Sequence, residues 1–279
     1  MTKKHSAARY RYITCMETLK LENFLGREES LKQILRYSMY SPMFYRTNLW
    51  SHSLHVQWLM MEIVPFAKNV FGDQFDEEKA IAMAAVHDDH EIVMGDFQFG
   101  NKLLLSADQT EALHQSEIEA IETVANRFPE YVGPYRYRDL MRSYVYLECV
   151  EAEVLKFIDK FAAFGEALHE LFAGNIAFAT PVRTEFGCPP TPFSAYFEWL
   201  SSYAEKFPKM KLLTQTAFPL FAPIQQLNEI EVVQSHSPHT EESFRQPSGY
   251  HHYDVWKEII FKHANTNQFG EIIVQKEFS

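Results

Sequence analysis

Along most of this 279-residue chain, apolar positions recur at the spacing of helices, between breaks made by Gly and Pro. Residues 1–30 form an N-terminal segment with mixed helical signals. A short helix is predicted over 31–40, stopped by Ser41-Pro42. The apolar stretch 50–71 predicts a helix of about five to six turns, ending at Gly72-Asp73. Asp76-Glu77-Glu78 puts acidic side chains at the N-terminal turn of the next helix, 77–94, which Gly95 ends. Residues 96–109 read as a loop and 110–127 as a helix that stops before Pro129. Gly133-Pro134 breaks the chain, and a long helix follows over 138–173, closed by Gly174-Asn175. Pro181, Pro189, Pro190 and Pro192 mark an irregular connector. Helices are then expected at 194–207, 215–231 and 253–264, an exposed Ser/His/Pro/Gly loop at 235–252, and a terminal strand or docking tail at 270–274. The class is all-α: a helical bundle with a partly irregular C-terminal extension.

Composition supports a helical globular chain. The hydrophobic fraction is 46%, enough at this length for a sizeable core, and 23 Phe and 14 Tyr against 10 Gly disfavour a turn-rich β fold. The net charge of −11 repels a polyanionic backbone, which argues against polynucleotide binding. It leaves room for a small phosphorylated ligand, which needs only a few local cations. Cys15, Cys149 and Cys188 are far apart and odd in number, as expected of free thiols in a reducing cytoplasm. No apolar segment follows the basic start of the chain, and no uninterrupted apolar run reaches membrane-spanning length, so neither a signal peptide nor a membrane partner is expected.

Against this background four side chains stand out. His87-Asp88 follows the apolar run 80–86. His52 lies upstream on another apolar helix, and Asp159 downstream in a third. Two imidazoles and two carboxylates in the order His, His-Asp, Asp are donors that a divalent ion accepts. Charges in such apolar helices are costly unless compensated, and a cation would compensate them. Each residue alone has an ordinary reading. His52 could be a hydrogen-bonded helix histidine, Asp88-Asp89 a solvated pair at a helix end, and Asp159 a partner of Lys156 or Lys160. Together, on three helices, they favour a metal site. His55 and His90 fit as neighbours of that site. His236, His239, His251 and His252 fall in the irregular loop and read as surface residues.

The same residues carry a resemblance. Arg46-Thr47-Asn48-Leu49-Trp50-Ser51-His52-Ser53-Leu54 is similar to an RT-x-N-x-x-x-HSL segment, one residue shorter between Thr and Asn. His87-Asp88-Asp89-His90-Glu91 through Gly95-Asp96 resembles HD-x-x-E-x-x-x-GD. The stretch 155–175, with Asp159 and ending Ala173-Gly174-Asn175, resembles an AD-containing helix ending in AGN. The pattern is that of the HD superfamily of metal-dependent phosphohydrolases, and within it the YfbR-type 5′-deoxynucleotidases. The resemblance implies an HD core at 31–176, between the N-terminal segment 1–30 and an extension 177–279. It implies metal ligands at His52, His87, Asp88 and Asp159 and catalytic acids at Glu91 and Asp96. Arg36 matches a phosphate-contacting Arg, and Tyr37 stands where the family has Trp, which leaves the sugar preference open.

The reaction that the resemblance implies is removal of the 5′-phosphate from (deoxy)nucleoside monophosphates, and the residues fit it: a divalent ion makes bound water acidic. Donors of N/O type leave positions on a six-coordinate ion, which suits Mn²⁺, Co²⁺ or Mg²⁺, with Zn²⁺, Ni²⁺ or Fe²⁺ as alternatives. Glu91 would handle the attacking water and Asp96 the leaving oxygen. Arg36, with Arg46 or Lys102, would hold the phosphoryl oxygens. The rival readings are an HD-type triphosphohydrolase or phosphodiesterase, a di-iron oxygenase with too few histidines here, and a catalytically silent nucleotide-binding protein. A homodimer is expected from the aromatic content and the family precedent.

Overall fold

The computed structural model describes residues 19–41, 43–172, 175–179 and 182–216. Expectations at 1–18, and at 217–279 with its histidine-bearing loop, lie outside the described residues. The described chain is predominantly helical, with a single two-stranded hairpin among its described elements, as the all-α reading requires. In chain order the elements are α1 (Arg27–Lys32), α2 (Leu49–Phe71), α3 (Glu77–Val86), α4 (Glu91–Met94), α5 (Phe99–Lys102) and α6 (Ala107–Ala125). They continue with β1 (Tyr131–Val132), β2 (Tyr135–Arg136), α7 (Tyr137–Tyr146), α8 (Val150–Phe172), α9 (Pro192–Lys206) and α10 (Pro208–Thr216).

Local chemistry fixes the ends that matter. The Asn48 side chain accepts from the Ser51 backbone N–H at 2.9 Å while Ser51 Oγ accepts from the Asn48 N–H at 3.2 Å. This reciprocal cap starts α2 four residues before His52. Asp76 caps α3 by accepting from Lys79 N, and the Ala-rich run it starts is buried throughout, from Ala80 to Val86. Thr191 caps α9, with Pro192 at the first helical position. Helices α2, α3 and α8 pack on one another around a shared core that includes Val56, Met60, Met83, Leu155 and Phe161. Helix α9 packs along α8 and adds Phe193, Tyr196 and Leu200 to the same core. Among the described residues no helix is long and apolar enough to cross a membrane.

The structure corrects four expected elements. The first helix covers Arg27–Lys32 rather than 31–40. Beyond it Leu35 bridges to Asn48, and Tyr37 adopts a left-handed backbone (φ 51°). The Arg46 side chain holds that turn by donating to the carbonyls of Arg36, Tyr37 and Tyr40. The helix expected over 77–94 is two helices with a turn at 87–90 between them. The one expected over 138–173 breaks at Leu147, also left-handed (φ 53°). The stretch 96–109, read as a loop, contains α5 and the start of α6, whereas Gly133-Pro134 does break the chain, as the tip of a hairpin pairing Tyr131 with Arg136 and Val132 with Tyr135.

Candidate metal centre

The break after α3 turns His87 and Asp88 toward the same point. On a continuous helix, neighbours diverge by about 100°. His52, from the first turns of α2, and Asp159, from the middle of α8, meet them there. One donor atom from each of His52, His87, Asp88 and Asp159 lies within 4.8 Å of the other three, and all four residues are buried. Bonds of about 2.1 Å would place opposite donors about 4.2 Å apart, so a small inward adjustment would let the set share one ion.

The hydrogen bonding of the donors fits a cation. His87 Nδ1 donates to the Ala84 carbonyl at 2.9 Å, which makes Nε2 the ring nitrogen turned to the cluster. That Nε2 is buried, makes no hydrogen bond, and lies 3.2 Å from Asp88 Oδ2. One cation between them would bind both atoms. His52 Nε2 is 3.0 Å from Asp159 Oδ1 and 3.6 Å from Asp88 Oδ2. Asp159 Oδ2 accepts from Tyr144 at 2.6 Å and from Lys160 Nζ at 2.7 Å. Burial would raise the Asp159 carboxyl, but Lys160 and His52 hold it well below the usual carboxylate range. Asp88 is lowered too: His87 and His52 outweigh its burial and its repulsion from Asp159.

Beside the cluster opens a cavity of about 580 Å³, lined in part by Asp88, Asp159, Glu91, Asp96, Arg36 and Lys102. Glu91 is raised well above a normal glutamate by burial and by the charges of Asp88 and Asp96. Its Oε2 is buried without a hydrogen-bond partner. Asp96 is raised by burial and by Asp88, against the opposing pull of Arg36, and accepts from Gln98 at 3.1 Å. Lys102 pairs with Glu117 at 2.9 Å. Arg36 is itself buried and pairs with Glu166 at 2.9 Å. Tyr37 lines the cavity while its hydroxyl donates to the Ala163 carbonyl. Arg46 is the exception. It does not line the cavity, and its guanidinium is committed to backbone carbonyls.

Two groups escaped the sequence reading. Glu166 lies two helical turns from Asp159 and faces Arg36, His52 and His55. That spacing was visible; the arrival of Arg36 beside it was not. Asp89, expected in a solvated pair, is fully buried. It pairs with Arg27 at 2.5 and 2.7 Å and accepts from Tyr137 at 2.8 Å.

An all-α chain with a buried His₂Asp₂ cluster opening on a charged cavity has the make-up of an HD-type metal-dependent hydrolase. Residues 23–185, more than half of the chain, match the family described as 5′-deoxynucleotidase YfbR-like, and the chain belongs to that family. A 5′-deoxynucleotidase of Citrobacter koseri is 29% identical over 165 residues, covering 57% of this chain and 78% of that protein. One from Shewanella oneidensis is 27% identical over 169 residues, covering 56% and 82%. The solved structure of a conserved hypothetical protein from Pyrococcus furiosus is 18% identical, with a TM-score of 0.44 over 68% of this chain and 96% of that one.

Proposed function

We propose that the protein removes the 5′-phosphate from (deoxy)nucleoside monophosphates, with one divalent ion held by His52, His87, Asp88 and Asp159. The observation that carries this is the convergence of those four donors beside a cavity that also holds two carboxyl groups with raised pKa, Glu91 and Asp96. When bound, Mn²⁺, Co²⁺ or Mg²⁺ supplies positive charge to the phosphoryl group and makes water more acidic.

The remaining chemistry belongs to the chain. Glu91 takes a proton from the attacking water at Oε2, the oxygen with no partner in the protein. Charge compensation at Asp88 removes one of the repulsions that keep Glu91 protonated. Asp96, whose proton is held more tightly than in a free aspartate, gives it to the departing 5′-oxygen. Arg36 and Lys102 face the phosphoryl group across the cavity, with Tyr37 beside the sugar. Glu166 and Glu117 orient these two cations and temper their charge. Arg46 acts indirectly, by holding the turn that presents Arg36 and Tyr37. We place the catalytic core in 31–176, flanked by 1–30 and by the extension 177–279, in a cytoplasmic homodimer that takes a small nucleotide.

The test is phosphate release from ribo- and deoxynucleoside mono-, di- and triphosphates. Chelation abolishes release from monophosphates, added Mn²⁺ or Co²⁺ restores it, and Asp159→Ala loses both bound metal and activity. An Asp159→Ala protein that turns over at the wild-type rate would remove the site.

A further inference from the structure

The cavity has a second wall that the family relationship does not supply. Helix α9 begins seven residues beyond the matched stretch 23–185, and it lines the cavity with Tyr196, Trp199 and Tyr203. These residues sit at i, i+3 and i+7, so one face of α9 is aromatic. Phe99, from α5, completes the wall. Its ring stacks on Tyr196 (centroids 5.1 Å, 12° between planes) and meets Trp199 edge-on at 6.2 Å. Trp199 in turn stacks on Tyr203 at 4.5 Å. Tyr196 is buried in this array, whereas Trp199 and Phe99 are only half-buried and open on the cavity.

The wall is continuous with the metal centre. Lys160 Nζ lies 2.7 Å from Asp159 Oδ2 and 5.2 Å from the Phe99 ring centroid. A molecule held by its phosphate at the cluster shares one cavity with these rings. A nucleobase is the part of a nucleotide with an aromatic face, and stacking accepts any base because each has one. We infer that α9, outside the family-matched residues, is the base platform of this enzyme, with Trp199 as its principal ring and Phe99 as its support. The inference rests on the phosphohydrolase reading above, and it adds a specificity-determining surface to it.

The experiment compares full-length wild type, Trp199→Ala and Trp199→Phe on deoxyadenosine 5′-monophosphate and on deoxyribose 5-phosphate, with Mn²⁺. For the nucleotide, Trp199→Ala raises KM roughly 5- to 100-fold with kcat little changed, and Trp199→Phe recovers most of the loss. Deoxyribose 5-phosphate has no base to stack, so its kcat/KM stays within about twofold in both variants. Equal losses on both substrates, or an unmoved nucleotide KM, would overturn the platform, because a merely structural Trp199 gives the first and an idle one the second. If wild type hydrolyses neither substrate, the phosphohydrolase reading fails, and calorimetric titration of deoxyadenosine 5′-monophosphate decides the platform separately. A Kd weakened by Trp199→Ala supports it; an equal Kd, or no binding to wild type, overturns it.

Discussion

Asp88 and Asp89 are neighbours in sequence, both buried, and their surroundings are opposite in kind. Asp89 is answered by the protein: Arg27 grips both its oxygens and also donates to the Ala85 carbonyl, and Tyr137 adds a hydroxyl. Asp88 has no lysine or arginine nitrogen within 4 Å among the described residues. It faces two imidazoles, and Asp159 stands among the same donors. A buried carboxylate that the fold neutralises is a structural fastening. One that the fold sets among imidazoles and a second carboxylate belongs to a group that could hold a cation. The two roles are assigned by what arrives from other helices, since the local sequence around the two residues is the same.

The sharpest way to break this comparison is to neutralise Asp88. Asp88→Asn should lower metal-dependent phosphate release by about 100-fold or more, since even residues that only orient a ligand cost 10- to 100-fold. Added Mn²⁺ should raise the unfolding temperature of wild type and leave that of the variant almost unmoved, because only a fold that binds the ion gains from it. Phosphate assays and thermal melts with and without Mn²⁺ read both. An equal Mn²⁺-induced rise in both proteins would remove Asp88 from the metal centre and put it in the same class as Asp89.

The converse experiment acts on Asp89. Arg27→Met strands a fully buried carboxylate and should cost about 3–5 kcal/mol in urea unfolding. Adding Asp89→Asn should return much of that loss, because the double variant leaves no buried charge behind. Neither change touches a donor of the cluster, so folded Arg27→Met protein should still bind metal. Comparable stability of the single and double variants would show that the pair is not the fastening proposed.

What the sequence disclosed, and what it withheld, follows the same division. The four donors were legible because charged side chains in apolar helices are conspicuous: His52 and Asp159 lie in apolar stretches and His87-Asp88 ends one. The helical class followed from periodicity, and the 50–71 helix agrees with Leu49–Phe71 almost residue for residue. The partners were illegible. Arg27 reaches Asp89 across 62 positions and Arg36 reaches Glu166 across 130, and no local pattern encodes such meetings. Arg46 looked like a phosphate ligand because charge is visible in sequence and commitment to carbonyls is not. The break at 87–90 was hidden for a related reason. His and Asp are weak helix formers, but the helical pattern resumes at Glu91–Met94 and masks the turn that brings His87 and Asp88 to a common point. The aromatic spacing on α9 could be read, but not the cavity it would face.

Glu166 stands between the two cases and offers a finer test of the comparison. Like Asp89 it is buried and has an arginine; like Asp88 it faces His52. Burial would raise its pKa, but Arg36 and then His52 outweigh that and lower it to about 2. An unfolded glutamate titrates near 4.3, so between these values the unfolded chain binds the proton more readily than the folded one. The stabilisation is therefore complete above about pH 4.3 and is lost as pH falls toward about 2, with an upper size of about 3 kcal/mol. Urea unfolding of metal-free protein between pH 6 and pH 3 should show wild type losing its advantage over Glu166→Gln across that window. An advantage independent of pH would mean that shape rather than charge holds Glu166 in place, and would set it apart from Asp89.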